Sequence, residues 1–236
     1  MYTEEKIGVN SGLPSFMSKI YAWMAGGILL SALTVYTILY TFTPLANAFW
    51  WLMTVTNGWA IYGFIILELF LVFSFRFNPE KVQPTSNYAL KFIAYSFVNG
   101  LTLAIVLLMY TEASIFNAFI STFALFGAMS IIGFITKKDL SKLGGILLSM
   151  LIGLIISSVI NLFLFRSSTA DFVLSIITVL IFTGLTAYDT QKCKAIYATY
   201  GGTKSINGLA IVCALELYLD FINLFLGLLR IFGKRR

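Results

Sequence analysis

Seven stretches of about twenty apolar residues divide the chain, at 20–42, 50–75, 88–110, 114–136, 144–165, 170–190 and 206–231. A bilayer core of roughly 30 Å needs about that much α-helix to cross it. In lipid every backbone N–H and C=O must be satisfied within the segment itself. The pattern predicts an all-α, polytopic membrane protein with seven transmembrane helices. Its connectors are too short to fold alone. That leaves a cytoplasmic N-terminal segment at 1–19, one helical domain at 20–231 and a basic tail at 232–236. Composition agrees, with 59% of residues hydrophobic and 11% charged, against about a quarter charged in soluble domains.

Lysine and arginine accumulate on the cytoplasmic side of membrane proteins. With the N-terminus inside, the inner segments hold Lys6, Lys19, Arg76, Lys81, Lys91, Lys137, Lys138, Lys142, Lys192, Lys194 and Lys204, and the outer connectors only Arg166. The C-terminus then falls outside, although its tail carries Lys234, Arg235 and Arg236. The net charge of +6 is thus a topology signal and no sign of a nucleic-acid partner. The N-terminus shows no signal-peptide pattern, since Glu4 and Glu5 precede the first lysine and no short apolar core follows. Gly145, Ser149, Gly153 and Ser157 recur at every fourth position, a small-residue ridge expected to let another helix approach. The tryptophans and several tyrosines sit near the expected membrane edges.

The seventh helix carries an anomaly. Glu216, Asp220, Asn223, Gly227 and Arg230 follow a 4-3-4-3 spacing that puts them on one helical face. A charge at the bilayer centre costs roughly 2.5–3.5 kcal/mol on insertion scales, so such residues face a protein interior or a water-filled path. Glu68 in the second helix is a further membrane acid, expected to form a buried ion pair with Arg230. Asp189 closes the sixth segment. Hydropathy sets it at the inner interface and Asp220 near mid-membrane, two to three turns apart in depth.

The chain has no histidine and two cysteines, Cys193 and Cys213, read as free thiols. That removes histidine relays, His-activated nucleophiles and His-ligated metals, and no cofactor or tightly bound metal is expected. Carboxylates, arginine, amides and hydroxyls remain.

Three segments, GAMSIIGFITKKDLS (127–141), GLTAYDTQK (184–192) and LYLDFINLFLGLLRIFG (217–233), resemble the transmembrane Bax-inhibitor-motif family, in particular its bacterial inner-membrane branch. FMSKIYAWMAGGILLSALT is similar to that family's first helix, and the resemblance spans residues 16–236. It implies six helices around a central, C-terminal seventh, and a pH-dependent calcium leak sensed by an aspartate pair. The matching positions are Asp189 and Asp220. It also implies a helix-2 acid facing a helix-7 arginine, Glu68 and Arg230 here. An arginine that latches to the first aspartate in the closed state has Arg76 as its nearest match.

Elementary electrostatics suits that role. Two carboxylates sharing a low-dielectric site retain one proton between them and titrate as a unit. Calcium prefers clustered oxygen ligands, and Glu216, one turn from Asp220, would add a third acid. Arg230 lies about 15 Å further along the helix. An intramembrane aspartyl protease would need a Gly-x-Gly-Asp motif where this chain has Leu217-Tyr218-Leu219-Asp220, so no enzyme is expected. The alternative is a non-conducting modulator of a membrane partner such as a protease, in which the charges only hold the bundle together. A proton-coupled transporter would show an inverted repeat, and none is evident.

Overall fold

The computed structural model describes the backbone of residues 2–75 and 84–236 and the side chains of 12–75 and 84–236. Among the described residues eight α-helices follow one another: α1 (Tyr2–Tyr40), α2 (Pro44–Val55), α3 (Ala60–Ser74), α4 (Thr85–Leu107), α5 (Glu112–Ile135), α6 (Ser141–Ile160), α7 (Ser168–Tyr200) and α8 (Ile206–Phe232). Six are long and apolar enough to span a membrane, and a seventh span results if α2 and α3 count as one broken crossing. Among the described residues no strand occurs, only an isolated bridge between Tyr110 and Arg235. The chain is an all-α polytopic membrane protein.

The second apolar run is not one helix. Thr43 caps α2 by accepting a hydrogen bond from the Ala46 N–H at 3.3 Å, with Pro44 in the first turn. The chain then breaks at Asn57 (φ 51°) and Gly58 (φ 82°). Both tolerate the left-handed region, and α2 and α3 meet at 114°. The 15 residues of α3 rise only about 22 Å.

The chain forms two compact units, residues 1–109 with 200–215, and residues 110–199 with 216–236. In the first, α1 and α4 approach closely. A Cβ on Gly27 would strike the Phe92 ring and one on Gly100 would strike Thr34. Ser31 donates to the Ser96 carbonyl at 2.7 Å across the same seam.

In the second unit, the close approach of α5 and α7 is made by Gly133, whose Cβ would lie 2.2 Å from the Ala187 carbonyl oxygen. Ser130 and Thr190 join hydroxyls at 3.0 Å beside it. Gly144 of α6 accommodates the Tyr188 ring, and Gly184 of α7 accommodates Leu147. The expected ridge of Gly145, Ser149, Gly153 and Ser157 is exposed, and no neighbouring atom lies within 4 Å of a Cβ on Gly145 or Gly153. The packing phase runs instead through Gly144, Leu147 and Leu154, so every-fourth-residue spacing identified the wrong face. α6 ends in a π turn (Asn161–Phe165). Asn161 closes it by donating to Asp171 at 2.6 Å and accepting from the Ser167 N–H at 3.1 Å.

The two ends of this unit are each fastened by polar contacts. At one, Lys194 donates to the Phe134 carbonyl, and Gln191 bridges the Lys138 carbonyl and the Leu140 N–H at 2.8 Å each. At the other, the C-terminal tail folds onto the start of α5. Thr111 N–H donates to the Lys234 carbonyl at 3.1 Å, Lys234 N–H to Ser114 Oγ at 2.9 Å, and Arg236 pairs with Glu112 at 3.4 Å. The 24 residues of α5 separate these ends by about 36 Å.

α8 is the most enclosed of the spanning helices. Its apolar window is 72% buried, against 17–56% in the others. Phe119 and Phe126 of α5 pack edge-on to Phe221 at 5.7 and 5.6 Å between ring centres, geometry that aromatic quadrupoles favour.

Candidate functional site: an acidic cluster between α7 and α8

Within the second unit α7 and α8 run antiparallel, so that residue numbers rise along one as they fall along the other. Lys192 meets Glu216, Asp189 meets Asp220, and Val179 meets the position of Gly227. The sequence expectation of two to three turns between Asp189 and Asp220 is therefore corrected. α7 does not stop at residue 190. It continues to Tyr200, carrying Lys192, Lys194 and Thr199 in helical register. Asp189 thus lies about 16 Å from the end of its helix and Asp220 about 21 Å from the start of its own. These similar depths bring the carboxyl groups within hydrogen-bonding range of each other.

Asp220 is 3% exposed and Asp189 is half-buried. Glu216 stands one turn before Asp220 on α8 and receives the Lys192 ammonium at 2.6 Å. Asp189 and Asp220 both feel the charges of Glu216 and Lys192. Glu216 Oε2 and Asp220 Oδ2 are buried without a hydrogen-bond partner. A buried acceptor left unpaired costs about 1–3 kcal/mol, so the cluster holds unsatisfied demand for a proton or a cation. Thr186 and Thr190, beside Asp189 in sequence, are fully buried on α7 and return their hydroxyls to its backbone at 2.8 Å.

Residues 13–236 match a family described as "Inhibitor of apoptosis-promoting Bax1". The chain is 41% identical over 234 residues to an uncharacterized membrane protein of Streptococcus pyogenes serotype M1, covering 99% of this chain and 97% of the relative. It is 40% identical over 228 residues to the inner membrane protein YbhL of Escherichia coli K12, covering 96% and 94%. A protein of Borreliella burgdorferi is 39% identical over 222 residues, covering 94% and 92%. The chain belongs to the Bax inhibitor-1 family.

In this member of the family, Asp189 faces Asp220, with Glu216 one turn away on α8. The remaining expected site residues stand elsewhere. Asn223 donates to the Leu219 carbonyl of its own helix at 2.8 Å. Glu68 belongs to the first unit, where it accepts a hydrogen bond from Thr102 at 2.6 Å. Arg230 belongs to the second, where it is exposed. The two residues of the expected Glu68–Arg230 ion pair thus belong to different units, and within the first the acid takes a hydroxyl partner. Arg76 lies outside the described residues. Among those residues no group of three or more acidic or thiol side chains converges to hold a metal ion. Cys193 and Cys213 are free and buried.

One side chain of the cluster escaped the sequence reading. Lys192 reads there as an inner-surface charge, yet it pairs with Glu216. The signal was present: Lys192 lies three residues after Asp189, on the same face of any helix that continues past 190.

Proposed function

We propose that this protein is a pH-sensitive cation leak of the bacterial inner membrane, with calcium as the transported ion and the Asp189–Asp220 pair as its gate. The observation that carries the reading is Asp220 itself. It is an acid, 3% exposed on a spanning helix, that faces a second acid and keeps one oxygen unpartnered. A purely structural bundle gains nothing from that arrangement, because an unpaired acid in the membrane interior is expensive.

Protonated once, the pair shares an internal hydrogen bond and carries a single negative charge. Deprotonated, its two charges repel one another and draw in a cation. Carboxylate oxygens suit calcium, and Glu216 supplies a further acid one turn away. Proton occupancy would thereby set the electrostatic profile of a slow, regulated path.

We place the lysine-rich end of α5–α7 in the cytoplasm by the positive-inside rule. The C-terminal tail, docked at the opposite end of α5, is then periplasmic and the N-terminus cytoplasmic. The name of the E. coli relative, an inner membrane protein, supports the compartment.

The test is calcium influx into proteoliposomes across pH 5.5–8, for wild type and Asp220→Asn. A pH-dependent flux that the substitution flattens supports the gate. Folded protein that admits no more calcium than empty liposomes would sink it, and a non-conducting modulator of a membrane partner would take its place.

A further inference from the structure

The gate gives Lys192 no task, although among the described residues its ammonium is the cation paired with Glu216. Lys192 stands one turn beyond Asp189 on α7, and Glu216 one turn before Asp220 on α8, so the Lys192–Glu216 pair lies one turn from the facing aspartates. The rim is partly open: the side chains of Lys192 and Glu216 are 36% and 28% exposed. The floor is closed, with Asp220 at 3%.

At the rim the ammonium holds Glu216 Oε1 at 2.6 Å. The other Glu216 oxygen and Asp220 Oδ2 are buried without partners. An ammonium is a compact point charge on a flexible four-carbon stem. It can occupy an acidic site and can also swing out of it. The acids alone do not converge as a metal cage among the described residues, and the group that engages Glu216 is this lysine.

We propose that Lys192 is a tethered competitor for the transported cation, holding Glu216 in place of a divalent ion and so setting how tightly the acidic cluster takes one. A tethered charge acts at high effective concentration. An entering cation must displace the ammonium from Glu216 and then share the site with a nearby positive charge. Affinity is held down, which is what a leak requires, since an ion that binds too tightly does not leave. The role rests on the cation-leak reading for its biological meaning, while the competition itself is a binding property that can be measured without flux.

The experiment uses full-length protein in detergent, titrated with Ca2+ by isothermal calorimetry, alongside calcium influx from the same preparations in liposomes. Lys192→Met should bind Ca2+ at least tenfold more tightly than wild type. Lys192→Arg, which keeps the charge, should stay within threefold. Adding Glu216→Gln to Lys192→Met should return affinity towards wild type. Lys192→Gln keeps a hydrogen bond to Glu216 without the charge, and carries the same expectation should the methionine variant be unstable. Affinity in the neutral variants within twofold of wild type, or weaker, overturns the proposal, as does Ca2+ binding that remains undetectable in all of them. A tightened affinity without flux in any variant upholds the competition and sinks the leak. Flux with unchanged affinity does the reverse.

Discussion

Gly133→Ala is the sharpest test of how α7 is held. The added methyl would lie 2.2 Å from the Ala187 carbonyl oxygen and 2.9 Å from the Ala187 carbonyl carbon and Cα. These are backbone atoms and have no rotamer to yield. Relief to ordinary contact requires α5 and α7 to part by about 1 Å, in an interior packed as densely as an organic crystal. The Ser130–Thr190 hydroxyl contact, now 3.0 Å, would then exceed hydrogen-bonding distance. Overpacking costs typically about 1–3 kcal/mol, and a hydrogen bond inside a membrane protein averages about 0.6 kcal/mol. Alanine returns up to about 1 kcal/mol through helix propensity. The expected net loss is about 1–3 kcal/mol. Gly127→Ala is the control on the same helix: no atom lies within 4 Å of its Cβ, so only the propensity gain applies. Thermal unfolding in detergent, followed by tryptophan fluorescence, should rank Gly133→Ala below wild type and Gly127→Ala at or above it. Equal melting of the two alanine variants would refute the close approach, and with it the account of what positions Asp189.

Two further perturbations probe the surroundings. Thr102→Val deprives the half-buried Glu68 of its 2.6 Å donor but leaves it Asn99, and should cost about 1 kcal/mol, the net worth of a typical hydrogen bond; in Glu68→Leu the same change should cost almost nothing, and a double-mutant cycle in thermal unfolding measures the difference. Asp139, in the connector between α5 and α6, accepts from the Ser141 N–H at 2.9 Å, and the hydrogen bonds from Ser141 lower its pKa below the ordinary carboxylate value. A depressed folded-state pKa contributes stability that is present above the unfolded value, about 3.9, and is lost as pH falls through the folded one. The melting difference between wild type and Asp139→Asn should therefore be constant near neutrality and vanish on acidification below about pH 4; a difference that grows with acid would contradict the sign.

The spanning helices were legible because hydrophobic length is a direct physical constraint in lipid, and the acids of α8 because a polar stripe in an apolar run has few explanations. What escaped was local geometry. The turn at Thr56-Asn57-Gly58 was written in a dipeptide that favours positive φ, but hydropathy averaged over it and joined α2 to α3. The packing face of α6 was misjudged by one residue, because Gly144 and Gly145 are equally small and only the ring of Tyr188 distinguishes them. The end of α7 was misplaced for the opposite reason: polar residues after 190 leave the apolar core yet remain good helix formers, so hydropathy stops where the hydrogen-bond ladder does not.

That last error had consequences for the chemistry. A helix ending at residue 190 leaves Asp189 and Lys192 in a solvated connector, where a charge needs no partner and an acid titrates like any other. A helix running to Tyr200 fixes both side chains on one face, one turn apart, at the depth of Glu216 and Asp220. Extending the ladder by ten residues turns two surface charges into half of a partly buried quartet. Three acids and one lysine in that quartet leave the cluster short of positive charge, and the two unpartnered oxygens show where the shortfall lies. A proton can meet it on Asp220, the lysine meets it on Glu216, and a divalent ion would have to contend with both. Proton sensing and cation affinity are on this view two readings of one charge balance, set by how far α7 remains a helix.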